Sequence, residues 1–258
     1  MHTGVNGEVL KIENLSFSYE KKDQVLKDIN LTAYSGESIG VIGANGIGKT
    51  TLMKLLVGLN TDFEGVLEVA GHPMNQKNIA HIREHIGYVF QDSDSQLFLS
   101  TIEDDVAFGP RNYGLSEEEV EKRVEEALAK VHITELRHKQ TYKLSGGEKK
   151  LASIATILSM KPDIIIMDEP SIALDPRNRR NLIGILNEID SLKIITSHDL
   201  DFILDTCERC VLLDEGRIIA DGRSEKILMD KELLEAHGLE LPLSAGCRYK
   251  QNIDNVQG

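Results

Sequence analysis

The stretch Gly43-Ala44-Asn45-Gly46-Ile47-Gly48-Lys49-Thr50 decides how this chain is read. It follows the apolar run Ser38-Ile39-Gly40-Val41-Ile42 and precedes Thr51-Leu52-Met53-Lys54-Leu55-Leu56, which gives a strand, a glycine-rich loop and a helix. Glycines let backbone N–H groups turn inward around phosphate oxygens, and the following helix adds its positive N-terminal end. Lys49 is placed to reach the outer phosphates, and Thr50 to offer a hydroxyl to Mg²⁺. Leu52, Leu55, Leu56 and Leu59 are expected on one face of the helix. The spacing GxxxxGK(S/T) in that setting predicts a phosphate-binding loop.

Composition bounds the rest. A chain of 258 residues, 41% of them hydrophobic, suffices for one large α/β domain or a domain with a sizeable insertion. The net charge of −13 argues against a general nucleic-acid binder, which needs a basic face to displace counterions. No apolar run approaches the ~20 residues that cross a bilayer. The start, Met1-His2-Thr3-Gly4, lacks a basic region followed by an apolar one, so the chain is expected to stay in the cytosol. Three cysteines fit a reducing compartment, and Cys207-Glu208-Arg209-Cys210 is expected to be a packed pair rather than a metal or redox site. His81 and His85 have helical i, i+4 spacing but no glutamate in the HExxH position, so a solvated helix face is expected.

In order, Leu15, Phe17 and Tyr19 alternate in the stretch Leu10 to Tyr19, and Ile29, Leu31 and Ala33 repeat the strand period. After the loop and helix come a turn at Glu64-Gly65, a strand Val66 to Val69, and a strand near Gly87-Tyr88-Val89-Phe90-Gln91. From Asp92 to about Lys161 the pattern is helical, and Ser116 with Glu119 reads as a capping box. Buried strands Ile164 to Met167 and Lys193 to Thr196 follow, then a hairpin made by Val211 to Gly216 and Ile218 to Ala220. The expected division is a nucleotide-binding core in two parts, 1–91 and 162–240, a helical subdomain at 92–161, and a loosely ordered tail at 241–258. Strands that alternate with helices imply a largely parallel sheet with its ligand at the strand C-terminal ends. Gly43, Gln91, Asp168 and His198 all follow strands in that way.

An acidic residue that closes an apolar strand can hold Mg²⁺ beside a P-loop threonine, so Asp168 is the expected partner of Thr50. Glu169, one step further out, suits a carboxylate that polarises the attacking water, and His198 suits a contact with the γ-phosphate or that water. Ser145-Gly146-Gly147 opens a helix with two glycines, residues that normally destabilise one, so something is expected to approach that backbone closely. A second copy satisfies this: in a head-to-tail pair, the ATP held by one P-loop would be covered by the other chain's Leu144-Ser145-Gly146-Gly147-Glu148.

With these residues together, the chain resembles an ATP-binding-cassette (ABC) ATPase over about residues 8 to 240. Gly43 to Thr50 matches Walker A, with Thr51 beside it; Ile164 to Asp168 matches Walker B and Glu169 the catalytic glutamate. Leu144 to Glu148 resembles the signature, Gln91 the Q-loop, Ser171 to Asp175 the D-loop and His198 the H-loop, while Tyr19 sits where the family stacks a ring on adenine. The resemblance implies a P-loop NTPase cassette: a RecA-like mixed sheet core, an N-terminal antiparallel β part and an inserted α-helical subdomain. It also implies that ATP and Mg²⁺ bind, with Thr50, Gln91 and Asp168 as metal ligands. Leu151 and Ala173 depart from the arginine and glycine common in the family, which bears on turnover rather than ATP binding.

The stretches Val89 to Asp92, Gln96 to Phe98 and Glu103 to Pro110 are similar to ATPases of energy-coupling-factor importers, and Leu144 to Lys150 with Ser197 to Phe202 to their cobalt and nickel branch. That implies a dimer at the cytoplasmic face of the cell membrane, powering metal uptake with a substrate-binding membrane subunit and a transmembrane subunit. The latter would contact Gln91, Gln96, Leu97 and Phe98. Two alternatives stand beside it. A vitamin importer would pair this chain with a similar but distinct ATPase, and a soluble ABC ATPase acting on ribosomes or nucleic acid would show paired cassettes, a coiled coil or a basic arm.

Overall fold

The computed structural model describes residues 7–20 and 24–245, so the expectations for Met1 to Gly4 and for 246–258 lie outside the described residues. Alternating apolar residues build an antiparallel first layer. Strands β1 (Glu8–Ser18) and β2 (Gln24–Tyr34) pair with Leu10 opposite Ala33 and Ile12 opposite Leu31. Next come β3 (Ser38–Ile42), α1 (Lys49–Leu56), β4 (Glu64–Val69), β5 (His72–Pro73), α2 (Ile79–His85) and β6 (Ile86–Val89). Helices α3 (Ile102–Asn112), α4 (Glu117–Lys130) and α5 (Gly146–Leu158) follow, then β7 (Ile164–Asp168), α6 (Pro176–Asn187), β8 (Leu192–Thr196) and α7 (Leu200–Thr206). The described part ends with β9 (Arg209–Asp214), β10 (Arg217–Arg223), α8 (Ser224–Leu228) and α9 (Lys231–Ala236).

One sheet has the order β2-β1-β4-β5, the other β10-β9-β3-β8-β7-β6. In the second, β9, β3, β8, β7 and β6 run parallel and only β10 is antiparallel. Its central strands β3, β7 and β8 are mainly apolar and buried because both faces are covered. Ile164 and Ile166 of β7 pack toward β1, β2, β4 and α1, while Ile165 and Met167 pack toward α3 to α7. Successive side chains on a strand point to opposite faces, so one five-residue strand serves two cores.

Several sequence expectations need correction. Leu59 is not on the buried face of α1: the helix ends at Leu56, Gly58 turns the chain with φ of 66°, and Leu59 is 61% exposed. The helical pattern does not begin at Asp92. The Asp92 side chain caps a single 3₁₀ turn at Ser93–Ser95, and the first helix waits for the Thr101 cap, whose hydroxyl accepts from the Asp104 N–H. Ser116 caps α4, but the Glu119 carboxylate takes Arg123 at 2.8 Å rather than closing a capping box. A complete capping box forms at Ser145 and Glu148. Helices α8 and α9 had no counterpart in the sequence reading, whereas α2 carries the helical spacing of His81 and His85. In the tail, the Leu243 and Ser244 N–H groups donate to Asp201, so 241–245 is tied to α7.

Phe202 is fully buried in the helical-side core and receives the Arg179 guanidinium over its ring at 5.5 Å. Phe202→Ala is expected to lower stability by about 3–5 kcal/mol in urea unfolding. Tyr142→Ala, at a side chain 72% exposed, is expected to stay within about 0.5 kcal/mol.

Candidate functional site

The parallel sheet delivers its loops to one edge. Asn45, Gly46, Gly48, Lys49, Thr50 and Thr51 line a cavity of about 380 Å³ together with Gln91, Asp168, Glu169, Ile172 and His198. These loops follow β3, β6, β7 and β8, at the C-terminal ends where a parallel sheet binds ligands. The loop after β3 needs glycine at both ends. Gly43 has φ of 145° and a Cβ there would lie 2.2 Å from the Leu213 carbonyl oxygen, while Gly48 has φ of 111° against Val25 and Leu26. The Lys49 ammonium donates to the Gly43 and Ala44 carbonyls at 2.7 and 3.0 Å. Burial pulls its pKa down, opposed by the carboxylates of Glu169 and Asp168. Ile47 is half-buried against the first-layer core.

The carboxylates opposite are held from behind. Asp168 Oδ1 accepts from the Thr196 hydroxyl at 2.6 Å, and Oδ2 from the Tyr88 phenol at 3.4 Å. Burial beside Asp168 pushes the Tyr88 phenol well above its ordinary pKa. Glu169 is buried in the left-handed backbone region, with φ of 50°, a conformation that costs about 1–3 kcal/mol for a non-glycine residue. Its Oε2 accepts the His198 N–H at 3.1 Å, whereas its Oε1 has no hydrogen-bond partner and lies 3.5 Å from His198 Nε2. A buried carboxylate oxygen with an open lone pair is suited to receive a proton from water. Tyr19 packs edge-on against Phe17 with its ring 43% exposed, and its hydroxyl is 3.4 Å from Thr51 Oγ1.

Ser145, Gly146 and Gly147 are not brought to this cavity. Ser145 and Gly146 are exposed at the start of α5, where the first N–H groups have no intrahelical partner. The two glycines differ. Space beside Gly146 is open, but a Cβ at Gly147 would sit 2.4 Å from the Asn178 amide of α6, so the close neighbour there belongs to the same chain. Ala173 has φ of 62°, the region that favours glycine. Leu151 is buried in the helical-side core, away from the phosphate cavity.

The loop after β6 leads to a second concavity of about 340 Å³, where Phe90, Phe98, Phe108 and Tyr113 present exposed aromatic surface. Gln96 is turned inward: its amide donates to the Ser153 carbonyl at 2.7 Å and to the Thr156 hydroxyl at 2.9 Å. Leu97 packs against the helical-side core, and Phe98 is 64% exposed. At the back of the groove, Asp105 Oδ1 accepts the Phe98 and Leu99 N–H groups while Oδ2 is buried without a partner. Desolvation raises the Asp105 pKa.

Cys207 and Cys210 are buried, and burial pushes the Cys207 thiol up to about 12. The solvated-face expectation fails for His85, whose side chain is only 19% exposed and whose Nδ1 bonds Asp163 at 2.5 Å. Its ring lies 4.9 Å from that of His81, which is 3.2 Å from His72 through the Nε2 atoms. Among the described residues, no three His, Cys, Asp or Glu side chains form a group able to hold a metal ion.

Sequence reasoning missed Thr196, Tyr88, Lys150 and Asp105. Thr196 was readable as the hydroxyl closing an apolar strand, and Lys150 as a lysine on the helical face of Ile154 and Ile157. Thr196 is fully buried and touches both carboxylate positions, since its hydroxyl lies 3.3 Å from the Glu169 N–H it receives. Thr196→Val keeps the shape and removes both bonds; it is expected to lower ATP turnover about tenfold and stability by about 1–3 kcal/mol. Steady-state kinetics and urea unfolding check the two effects.

The chain is similar to known proteins along most of its length. The family of ABC transporters matches residues 26–172. Over 240 residues the chain is 45% identical to an ABC transporter ATP-binding protein of Geobacter sulfurreducens, covering 93% of this chain and 96% of that one. It is 42% identical to the energy-coupling factor transporter ATP-binding protein EcfA of Carboxydothermus hydrogenoformans, covering 91% and 87% of the two chains. The solved structure of CbiO1 from Clostridium perfringens, described as part of the ABC transporter complex CbiONQ, is similar with a TM-score of 0.83 at 35% identity, covering 95% of this chain and 100% of that one. The chain belongs to the ABC transporter ATP-binding family, as an ATPase of the energy-coupling-factor type.

Proposed function

We propose that two copies of this chain close head to tail over two ATP molecules, and that hydrolysis reopens them to drive uptake of cobalt or nickel through separate membrane subunits. One observation carries the closure. A cavity complete in P-loop, Gln91, Asp168, Glu169 and His198 takes nothing from Ser145 to Gly147, while Ser145 and Gly146 present an exposed helix N-terminus. A helix N-terminus is a receptor for phosphate, and a second copy turns it toward the first copy's ATP. Similarity to EcfA and to CbiO1 supports the transport role, and the signature and H-loop resemblance supports the metal substrate over a vitamin. The chain then works as a peripheral protein on the cytoplasmic face of the membrane; no helix among its described residues is long and apolar enough to cross one.

In this reading the backbone from Gly43 to Gly48 cradles the phosphates, with Ala44, Asn45, Gly46 and Ile47 in the loop, and Tyr19 stacks on the adenine. Lys49 leaves the Gly43 and Ala44 carbonyls for the outer phosphates, regaining a partner for its desolvated charge. Thr50, Gln91 and Asp168 are hard oxygen donors that line the same cavity, the donor type that suits Mg²⁺. Bound there, Mg²⁺ would supply charge neutralisation at the phosphates. Glu169 Oε1 accepts a proton from the water whose oxygen bonds the γ-phosphorus, as the bridging bond to ADP breaks. His198 holds the Glu169 carboxylate through its N–H and offers its ring to the γ-phosphate.

For the membrane partner, the groove at Phe90, Phe98, Phe108 and Tyr113 suits a short helix with an apolar face, and the unpartnered Asp105 Oδ2 calls for a basic side chain on it. Glu169→Gln is expected to accumulate an ATP-bound dimer on size-exclusion chromatography, and a persistent monomer contradicts the role of Glu169. Multi-spanning proteins should accompany the chain from detergent-solubilised membranes and be lost on Phe98→Ser, while ribosomal or nucleic-acid companions would overturn the transport reading. ATP-driven accumulation of cobalt or nickel in vesicles carrying those partners checks the substrate; accumulation of a vitamin would replace it.

A further inference from the structure

Lys150 is 3% exposed, sits on α5 five residues after Ser145, and has no role in the chemistry above. Its ammonium donates to the Phe90 and Gln91 carbonyls, each at 2.9 Å. A buried lysine is a costly way to fill space that an apolar side chain of similar length would fill, and a buried ion is weak evidence of stabilisation. Its bonds are directional and charge-assisted, so they fix the position of two backbone carbonyls.

The placement of those carbonyls matters. Gln91 lines the phosphate cavity while its main-chain carbonyl is held by Lys150 of α5. Other residues attach the same loop to the same helix. The Gln96 amide donates to Ser153 and Thr156 and accepts the Phe90 N–H at 3.2 Å, and Lys149 pairs with Asp94. Phe90 also packs against Tyr88, the donor to Asp168, at a ring distance of 5.0 Å. The loop after β6 therefore joins the cavity on one side to α5 on the other, and Lys150 is the buried lysine at that junction, beside the more exposed Lys149–Asp94 pair.

We propose that Lys150 is a positioning residue that ties the Gln91 loop to α5, so that a nucleotide seated in one copy sets the Ser145–Gly147 turn which that copy presents to its partner's ATP. This rests on the head-to-tail reading above. Lys150 serves the partner's site and leaves nucleotide affinity in its own cavity intact.

Lys150→Met in the full chain is expected to lower kcat at least tenfold with KM for ATP within about twofold. Mixed with equal Glu169→Gln chains, which still seat ATP, it should regain up to about a quarter of wild-type turnover, because half the dimers are mixed and one site in each has an intact Glu169 facing a nucleotide-loaded copy with an intact Lys150. A Glu169→Gln and Ser145→Arg mixture tests the head-to-tail reading itself. If that control regains activity and the Lys150→Met mixture stays silent, Lys150 acts within its own cavity and the proposal alone is overturned. If both mixtures are silent, the head-to-tail reading falls and takes the proposal with it. Unchanged kcat, or a raised KM alone, overturns it too. Should Lys150→Met fail to fold by circular dichroism, Lys150→Gln, which keeps N–H donors without the charge, goes through the same mixing with the same criteria.

Discussion

The site depends on the register of β7 against β8. Parallel pairing sets Asp168 opposite Thr196, and from that one alignment follow the 2.6 Å bond that orients Asp168 and the bond from Thr196 to the Glu169 N–H. A slip of one residue would turn both side chains to opposite faces of the sheet. Nothing polar is available in Ile164 to Met167 to replace them. The register is fixed instead by the apolar alternation of β7, which fills one core with Ile164 and Ile166 and the other with Ile165 and Met167. Packing on both faces thus sets the geometry of two carboxylates at the strand's end.

From the same constraint comes a division of labour. Sheet loops converge on the phosphate cavity, whereas α5 starts outside it and exposes its N-terminus. The capping box of Ser145 and Glu148 and the ion pair of Glu148 with Lys139 at 2.8 Å preform that helix start in the isolated chain. Under the proposed head-to-tail closure, two preformed half-sites on one chain would favour association without large rearrangement of either half. The contacts of Lys149, Lys150 and Gln96 then join the halves within each copy.

Much of this was legible in the sequence because its signals are local. The P-loop spacing, the apolar runs of β3, β7 and β8, and the polar residue after each run are readable from neighbours alone. Long-range bonds were not. Thr196, Tyr88 and Lys150 gain their meaning from Asp168 and Gln91, which stand at least 28 residues away in sequence. Gly147 shows the same limit, since its neighbour Asn178 lies on another helix and periodicity says nothing about it. Leu59 and the stretch after Asp92 were misread where a glycine turn and a capping aspartate overrode a continuing pattern. Ala173, a departure readable in sequence, acquires its physical sense only from a φ of 62°.

The measurement closest to the central claim is the distance between copies. Two populations in the Glu169→Gln background, one spin-labelled at Lys54→Cys beside the P-loop and the other at exposed Tyr142→Cys beside the Ser145 turn, are mixed and followed by pulsed electron paramagnetic resonance. ATP should produce a narrow Lys54-to-Tyr142 distance between copies that ADP does not. A distance unchanged by ATP, or a short contact between the two Tyr142 positions instead, would contradict head-to-tail closure.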